Sequence, residues 1–123
     1  MKAIATKNAP EAIGPYSQAI DCGNLVFVSG QLPINPENGE IPEGIEAQTR
    51  QALCNADEIL KAADLSLKNA CKVTVYLSDI SEFADMNKCY GEFFEEPYPA
   101  RAAIQAAALP KGAKIEVDVI AVK

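Results

Sequence analysis

The sequence predicts an α+β domain in which two helices cover one face of a single mixed, six-stranded sheet. Three observations carry that reading. Short strand-forming segments stand near both ends, two stretches repeat apolar residues at spacings of three and four, and one segment between them alternates strictly. At 123 residues the chain is long enough to bury its own core, so residues 1–123 are expected to form one domain. No repeat, linker or low-complexity block divides it.

Lys2 to Thr6 reads as a short opening strand. Asn8 to Gln18 carries Pro10, Gly14 and Pro15 and suits a shaped loop. Ala19 to Asp21 and Leu25 to Gln31 read as strands joined by the turn Cys22-Gly23-Asn24. Leu25-Val26-Phe27-Val28 is apolar on both faces, which predicts a strand covered on both sides. Pro33 to Gly44 is a long surface connection.

Ile45 to Ala63 is the first helix, with Ile45, Thr49, Ala52, Leu53, Ala56, Ile59, Leu60 and Ala63 as its buried stripe. Arg50 lies off that stripe and reads as a solvated charge. Ala70 to Ser78 is a strand, with Val73, Val75 and Leu77 on one face and Lys72, Thr74, Tyr76 and Ser78 on the other. Asp79 or Ser81 can cap a second helix running to about Phe94. Phe83, Met86, Tyr90, Phe93 and Phe94 form its apolar stripe, with Asn87 one residue off it. Ala100 to Ala106 and Lys114 to Val122 complete the strands.

Two helices cover only one sheet face. The other is expected to carry Thr74, Tyr76, Ala103, Gln105, Ile120 and Val122, too apolar to stay wholly in water. Packing against copies of the same chain is the simplest remedy, and sites are often built at such seams.

A 49% hydrophobic and 23% charged composition is that of a globular protein. The net charge of −6, without a basic run, argues against nucleic acid and against acidic membrane surfaces. No segment has the roughly 18 apolar residues of a membrane span, and the opening residues lack a signal peptide's apolar core. A cytoplasmic protein is expected. Cys22, Cys54, Cys71 and Cys89 form no C-x-x-C pair and there is no histidine, so neither a metal site nor a disulfide is expected. Triads that depend on histidine are ruled out, leaving carboxylates, Tyr, Lys, Arg, water and backbone groups for any chemistry.

The segment Pro99 to Pro110 places Arg101 in a run of alanines, and the chain has only one other arginine. Strand parity sets Arg101, Ala103 and Gln105 on one side, and Glu116 is expected on that same side, away from the helices. Two readings of the pair stand. Arg101 and Glu116 form a buried salt bridge, within the chain or across a subunit seam, or Arg101 clamps a ligand carboxylate with its planar fork while Glu116 handles protons.

Several separated motifs give the chain a family resemblance. They are Ile13-Gly14-Pro15-Tyr16-Ser17-Gln18, Val28-Ser29-Gly30-Gln31-Leu32-Pro33, Asn87, Pro99-Ala100-Arg101 with Leu109-Pro110, and Lys114-Ile115-Glu116-Val117. Together they resemble the RidA (YjgF-type) reactive-intermediate deaminases along essentially the whole chain. The resemblance implies a chorismate-mutase-like fold, a homotrimer with clefts between subunits, and no cofactor. It implies hydrolysis of 2-imino acids or their enamine tautomers to 2-keto acids and ammonia. It assigns the substrate carboxylate to Arg101 and the water to Tyr16 and Glu116. Ser29, Gly30, Gln31, Asn87 and Ala103 would bind substrate. The chain departs from the family's pattern in Ala103, where many relatives carry cysteine, in Gln105, and in a short loop over Glu95 to Pro99. A non-catalytic protein that binds small carboxylates through the same clefts is the alternative. RNA cleavage, also attached to the family, fits poorly with an acidic chain that lacks histidine.

Overall fold

The computed structural model describes residues 1–123. Its elements are β1 (Lys2–Ile4), β2 (Ala19–Asp21), β3 (Leu25–Gln31), α1 (Ile45–Lys61), β4 (Ala70–Leu77), α2 (Phe83–Tyr90), β5 (Ala100–Gln105) and β6 (Ile115–Val122). All six strands join one mixed sheet in the order β1-β2-β3-β6-β4-β5. Neighbours are antiparallel except β4 and β5, which run parallel because the chain returns through α2.

Both helices pack on one face. The stripe of α1 is buried from Ile45 to Leu60 and meets Val26, Val28, Val73, Val75, Val117 and Val119 of the sheet. α1 ends at Lys61, two residues short of the expected Ala63. Asp64 takes a left-handed φ of 60° and the Leu65 N–H donates to the Leu60 carbonyl, a turn that closes the helix.

α2 is shorter than the stripe predicts, stopping at Tyr90 rather than near Phe94. Asp79 accepts from the Ser81 N–H at 2.9 Å and caps a 3₁₀ turn, Ile80–Glu82, that leads into the helix. After Tyr90 the N–H groups of Glu92 and Phe93 reach back only three residues, tightening the chain into turns. Glu92 is held there by Arg50, whose Nε and Nη2 donate to its two carboxylate oxygens at 2.9 and 3.1 Å. Arg50 is thus partly exposed and paired, rather than simply solvated.

The other sheet face is open. Val26 and Val28 are buried while Phe27 is 43% exposed, so β3 is covered on one side only, against the expectation of two. Register corrects a second expectation. Arg101, Ala103 and Gln105 pair with Val73, Val75 and Leu77, whose side chains are buried under the helices. They therefore share the helix-side face. The open face carries instead Phe27, Thr74, Tyr76, Ala102, Ile104, Ile120 and Val122, with Glu116 and Asp118 among them.

Candidate functional site

Arg101 sits on β5, an edge strand exposed along most of its length. Its Nη1 donates to Asn87 Oδ1 at 2.7 Å, and no other protein acceptor engages its fork. The guanidinium carbon lies 4.7 Å from the centre of the Tyr90 ring and 5.4 Å from that of Phe83. Asn87, Phe83 and Tyr90 all belong to α2, at spacings that share a helical face. Next to Arg101 on the same face, Ala103 is half-buried against the core, and Gln105 accepts from the Ile80 N–H at 2.9 Å. Gln105 thus ties β5 to the turn before α2.

Glu116 stands elsewhere. It pairs in register with Tyr76, on the open face, and neither an ion pair nor a hydrogen bond joins it to Arg101. The expected side-sharing of the two residues is therefore wrong, and the salt-bridge reading fails within the chain. Parity relates residues within one strand, whereas the side each strand presents is set by pairing with its neighbours. Glu116 lies against Gly30. A Cβ at Gly30 would come 2.8 Å from Glu116 Oε2, so the absent side chain makes room for the carboxylate. Burial raises the Glu116 pKa above its ordinary 4.5, and the neighbouring Asp118 charge raises it further. Asp118 accepts from the Tyr76 hydroxyl at 3.0 Å, which in turn raises the pKa of that phenol.

Gly30 falls where the β3–β6 register shifts, between Val28 and Gln31. The Ser29 hydroxyl donates to the Ser17 carbonyl at 2.6 Å, tying β3 to the loop that bears Tyr16. Gln31 is 4% exposed and its amide donates to the Ser29 carbonyl at 3.0 Å. Its side chain braces the bulge from within. Tyr16 is exposed and borders a cavity of about 790 Å³, with Lys7, Glu11 and Pro36 among the other lining residues. Neither Arg101 nor Glu116 lines that cavity.

The chain thus brings together Arg101 with Asn87, and Glu116 with Gly30, and keeps the two groups on opposite faces. Sequence reasoning missed the part Phe83 and Tyr90 play around Arg101, having read both as core. Their spacing with Asn87 was the available signal. It also missed the Tyr76–Asp118 pair, whose two members stand on neighbouring strands.

These features define a small α+β domain with a guanidinium free of any carboxylate on one sheet face and a carboxylate over a glycine on the other. A family model described as Endoribonuclease L-PSP matches residues 6–123. The chain belongs to that family, the RidA (YjgF-type) proteins. It is 54% identical to a RutC family protein of Pyrococcus horikoshii, over 98% of this chain and 96% of that one. It is 47% identical to the 2-iminobutanoate/2-iminopropanoate deaminase of Escherichia coli, over 99% and 98%. Among solved structures, E. coli TdcF with bound serine superposes with a TM-score of 0.96 at 45% identity, covering 100% of this chain and 99% of that one.

Proposed function

We propose that this chain hydrolyses 2-imino acids, or their enamine tautomers such as 2-aminoacrylate, to 2-keto acids and ammonia. The observation that carries the reading is Arg101: an exposed guanidinium held by an amide and two rings, with most of its fork free for a carboxylate. The 47% identity to a protein named for this reaction supports it.

In this reading the working unit is a homotrimer of chorismate-mutase-like architecture in the cytoplasm. Clefts between subunits would unite the Arg101 of one chain with the Glu116 and Gly30 of the next. The apolar open face and the separation of Arg101 from Glu116 in one chain support an assembled site.

Arg101 fixes the substrate carboxylate and Asn87 holds the guanidinium, while Ala103 and Ser29 contribute backbone groups near the ligand. Gln31 acts through the shape of the bulge. Tyr16 holds a water molecule, and Glu116 takes a proton from it as the oxygen attacks the imine carbon. Glu116 passes that proton to the imine nitrogen, and the product is a carbinolamine. Glu116 then takes the proton of the carbinol hydroxyl and delivers it to nitrogen, the C–N bond breaks, and ammonia leaves as the ketone forms. An imine carbon is already electrophilic, so orientation and proton transfer suffice without a cofactor. A carboxyl group with a raised pKa is suited to both taking and returning the proton.

A second reading, a non-catalytic small-carboxylate binder, is favoured by the solved relative with bound serine. One assay separates the two. An amino-acid oxidase generates imino acid in the presence of semicarbazide, and trapped imine is followed with and without the protein. Lower trapping supports hydrolysis, and Arg101→Ala should abolish the effect. Unchanged trapping, together with retained binding of a 2-keto acid, leaves only the binding reading.

A further inference from the structure

Arg101 differs from the chain's other arginine in what surrounds it. Arg50 meets the Glu92 carboxylate with two hydrogen bonds, and its charge is cancelled where it stands. Arg101 meets no carboxylate. One amide oxygen and the faces of two aromatic rings hold it, and these leave its net charge intact.

The geometry of this cradle is stiff. Phe83, Asn87 and Tyr90 project from one face of α2. Behind Tyr90 lies the Phe94 ring, with centroids 4.5 Å apart and planes at 34°. Tyr90 thus packs against Phe94 as well as meeting the guanidinium. Its hydroxyl is buried without a hydrogen-bond partner, so hydrogen bonding does not explain the residue. The ring does.

We propose that Phe83 and Tyr90 are positioning residues, an aromatic shelf that fixes the plane of the Arg101 guanidinium and keeps its charge available to a ligand carboxylate. The inference rests on the reading of Arg101 as a carboxylate clamp. Without the shelf, Arg101 would be a long side chain on an exposed edge strand with one hydrogen bond to orient it. Ordering that side chain would then fall to the ligand and weaken its binding.

The test is calorimetric titration of 2-oxobutanoate into the assembled protein, with steady-state kinetics on the corresponding imino acid. Phe83→Leu and Tyr90→Leu should each weaken binding by about three- to tenfold, the range expected for a lost cation–ring contact. KM should rise by a similar factor while kcat stays within about twofold. Tyr90→Phe, which keeps the ring, should restore the affinity. Met86→Ala, which loosens the buried side of the same helix, should lower Tm and leave KM near the wild-type value.

Failure can be assigned. If the wild type binds no keto acid, or Arg101→Ala binds as well as wild type, the clamp reading falls and this inference with it. If Arg101→Ala loses binding while both leucine variants bind within about twofold of wild type, the shelf alone is overturned. The same holds if Met86→Ala raises KM as much as Tyr90→Leu, since helix packing would then explain the effect.

Discussion

The Glu116 carboxylate rests over the α-carbon of Gly30, so close that a methyl group there would stand 2.8 Å from Oε2 and 3.0 Å from Cδ. Glycine at position 30 is required by this contact, since its backbone is not in the left-handed region. The two residues come from neighbouring strands, and Gly30 falls within the register shift between Val28 and Gln31.

Gly30→Ala should displace the carboxylate and spare the fold. The clash falls on the far end of a flexible side chain, so a shift in Tm of only a few degrees is expected. A displacement near 1 Å can cost on the order of a hundredfold in rate. Imine hydrolysis by the variant should fall by about ten- to a hundredfold, with 2-keto acid binding retained. Wild-type turnover would show that the contact has no part in catalysis.

Glu116 also sets an expected pH dependence. Acting as a base it must be ionised, and its pKa lies above 4.5 through burial first and the Asp118 charge second. The acid limb of kcat/KM should therefore fall above pH 4.5. The folded chain binds this proton more tightly than the unfolded chain, so stability from this group is full below pH 4.5 and is lost as pH rises through the raised pKa. Asp118→Asn should move the limb to lower pH, and an unmoved limb would separate Asp118 from the titration.

Arg101→Lys tests the planar fork rather than the charge. An ammonium is a compact point charge and does not reproduce two parallel hydrogen bonds or stack as well on the Tyr90 ring. Affinity for 2-oxobutanoate should drop by about tenfold or more. Tm should hardly change, because the side chain is exposed. Equal affinity would mean that charge alone is read.

Gln18→Leu probes the loop that carries Tyr16. The buried Gln18 side chain accepts from the Thr6 N–H at 2.7 Å and donates to the carbonyls of Thr6 and Pro10 at 3.1 and 2.7 Å. Leucine would leave those groups unpaired, at a cost of about 1–3 kcal/mol. Hydrogen exchange should quicken at the Thr6 amide and turnover should fall, while β4 and β6 amides remain protected.

Legibility of the fold in the sequence followed amphipathic contrast. The stripe of α1 and the alternation of β4 are written in residues that differ sharply between faces, and those elements lie where the pattern puts them. β5 lacks that contrast, because alanine suits either face. Parity grouped Arg101 with Ala103 and Gln105, but only pairing with β4 reveals that this group points toward the helices. The aromatic pattern of α2 runs on past Tyr90, yet Gly91 and the grip of Arg50 on Glu92 turn the chain away.

The candidate site was readable as a list of residues and not as an arrangement. Motifs singled out Arg101, Asn87, Gly30 and Glu116. The contact between Gly30 and Glu116, and the separation of both from Arg101, depend on strand order and bulge position, which no local pattern encodes. Phe83 and Tyr90 were hidden for a different reason. A ring that lines the core on one side and meets a cation on the other has the same spacing as a ring that does only the first.

The placement of Arg101 and Glu116 on opposite faces of one sheet has a genetic consequence. A cleft between chains would take its guanidinium from one gene copy's product and its carboxylate from another's. Under the proposed assembly, Arg101→Ala and Glu116→Gln chains should each be inactive when alone. Once unfolded, mixed and refolded together, some clefts would receive both intact groups, and activity should reappear from two inactive parents. A damaged copy would then be partly rescued by a differently damaged one.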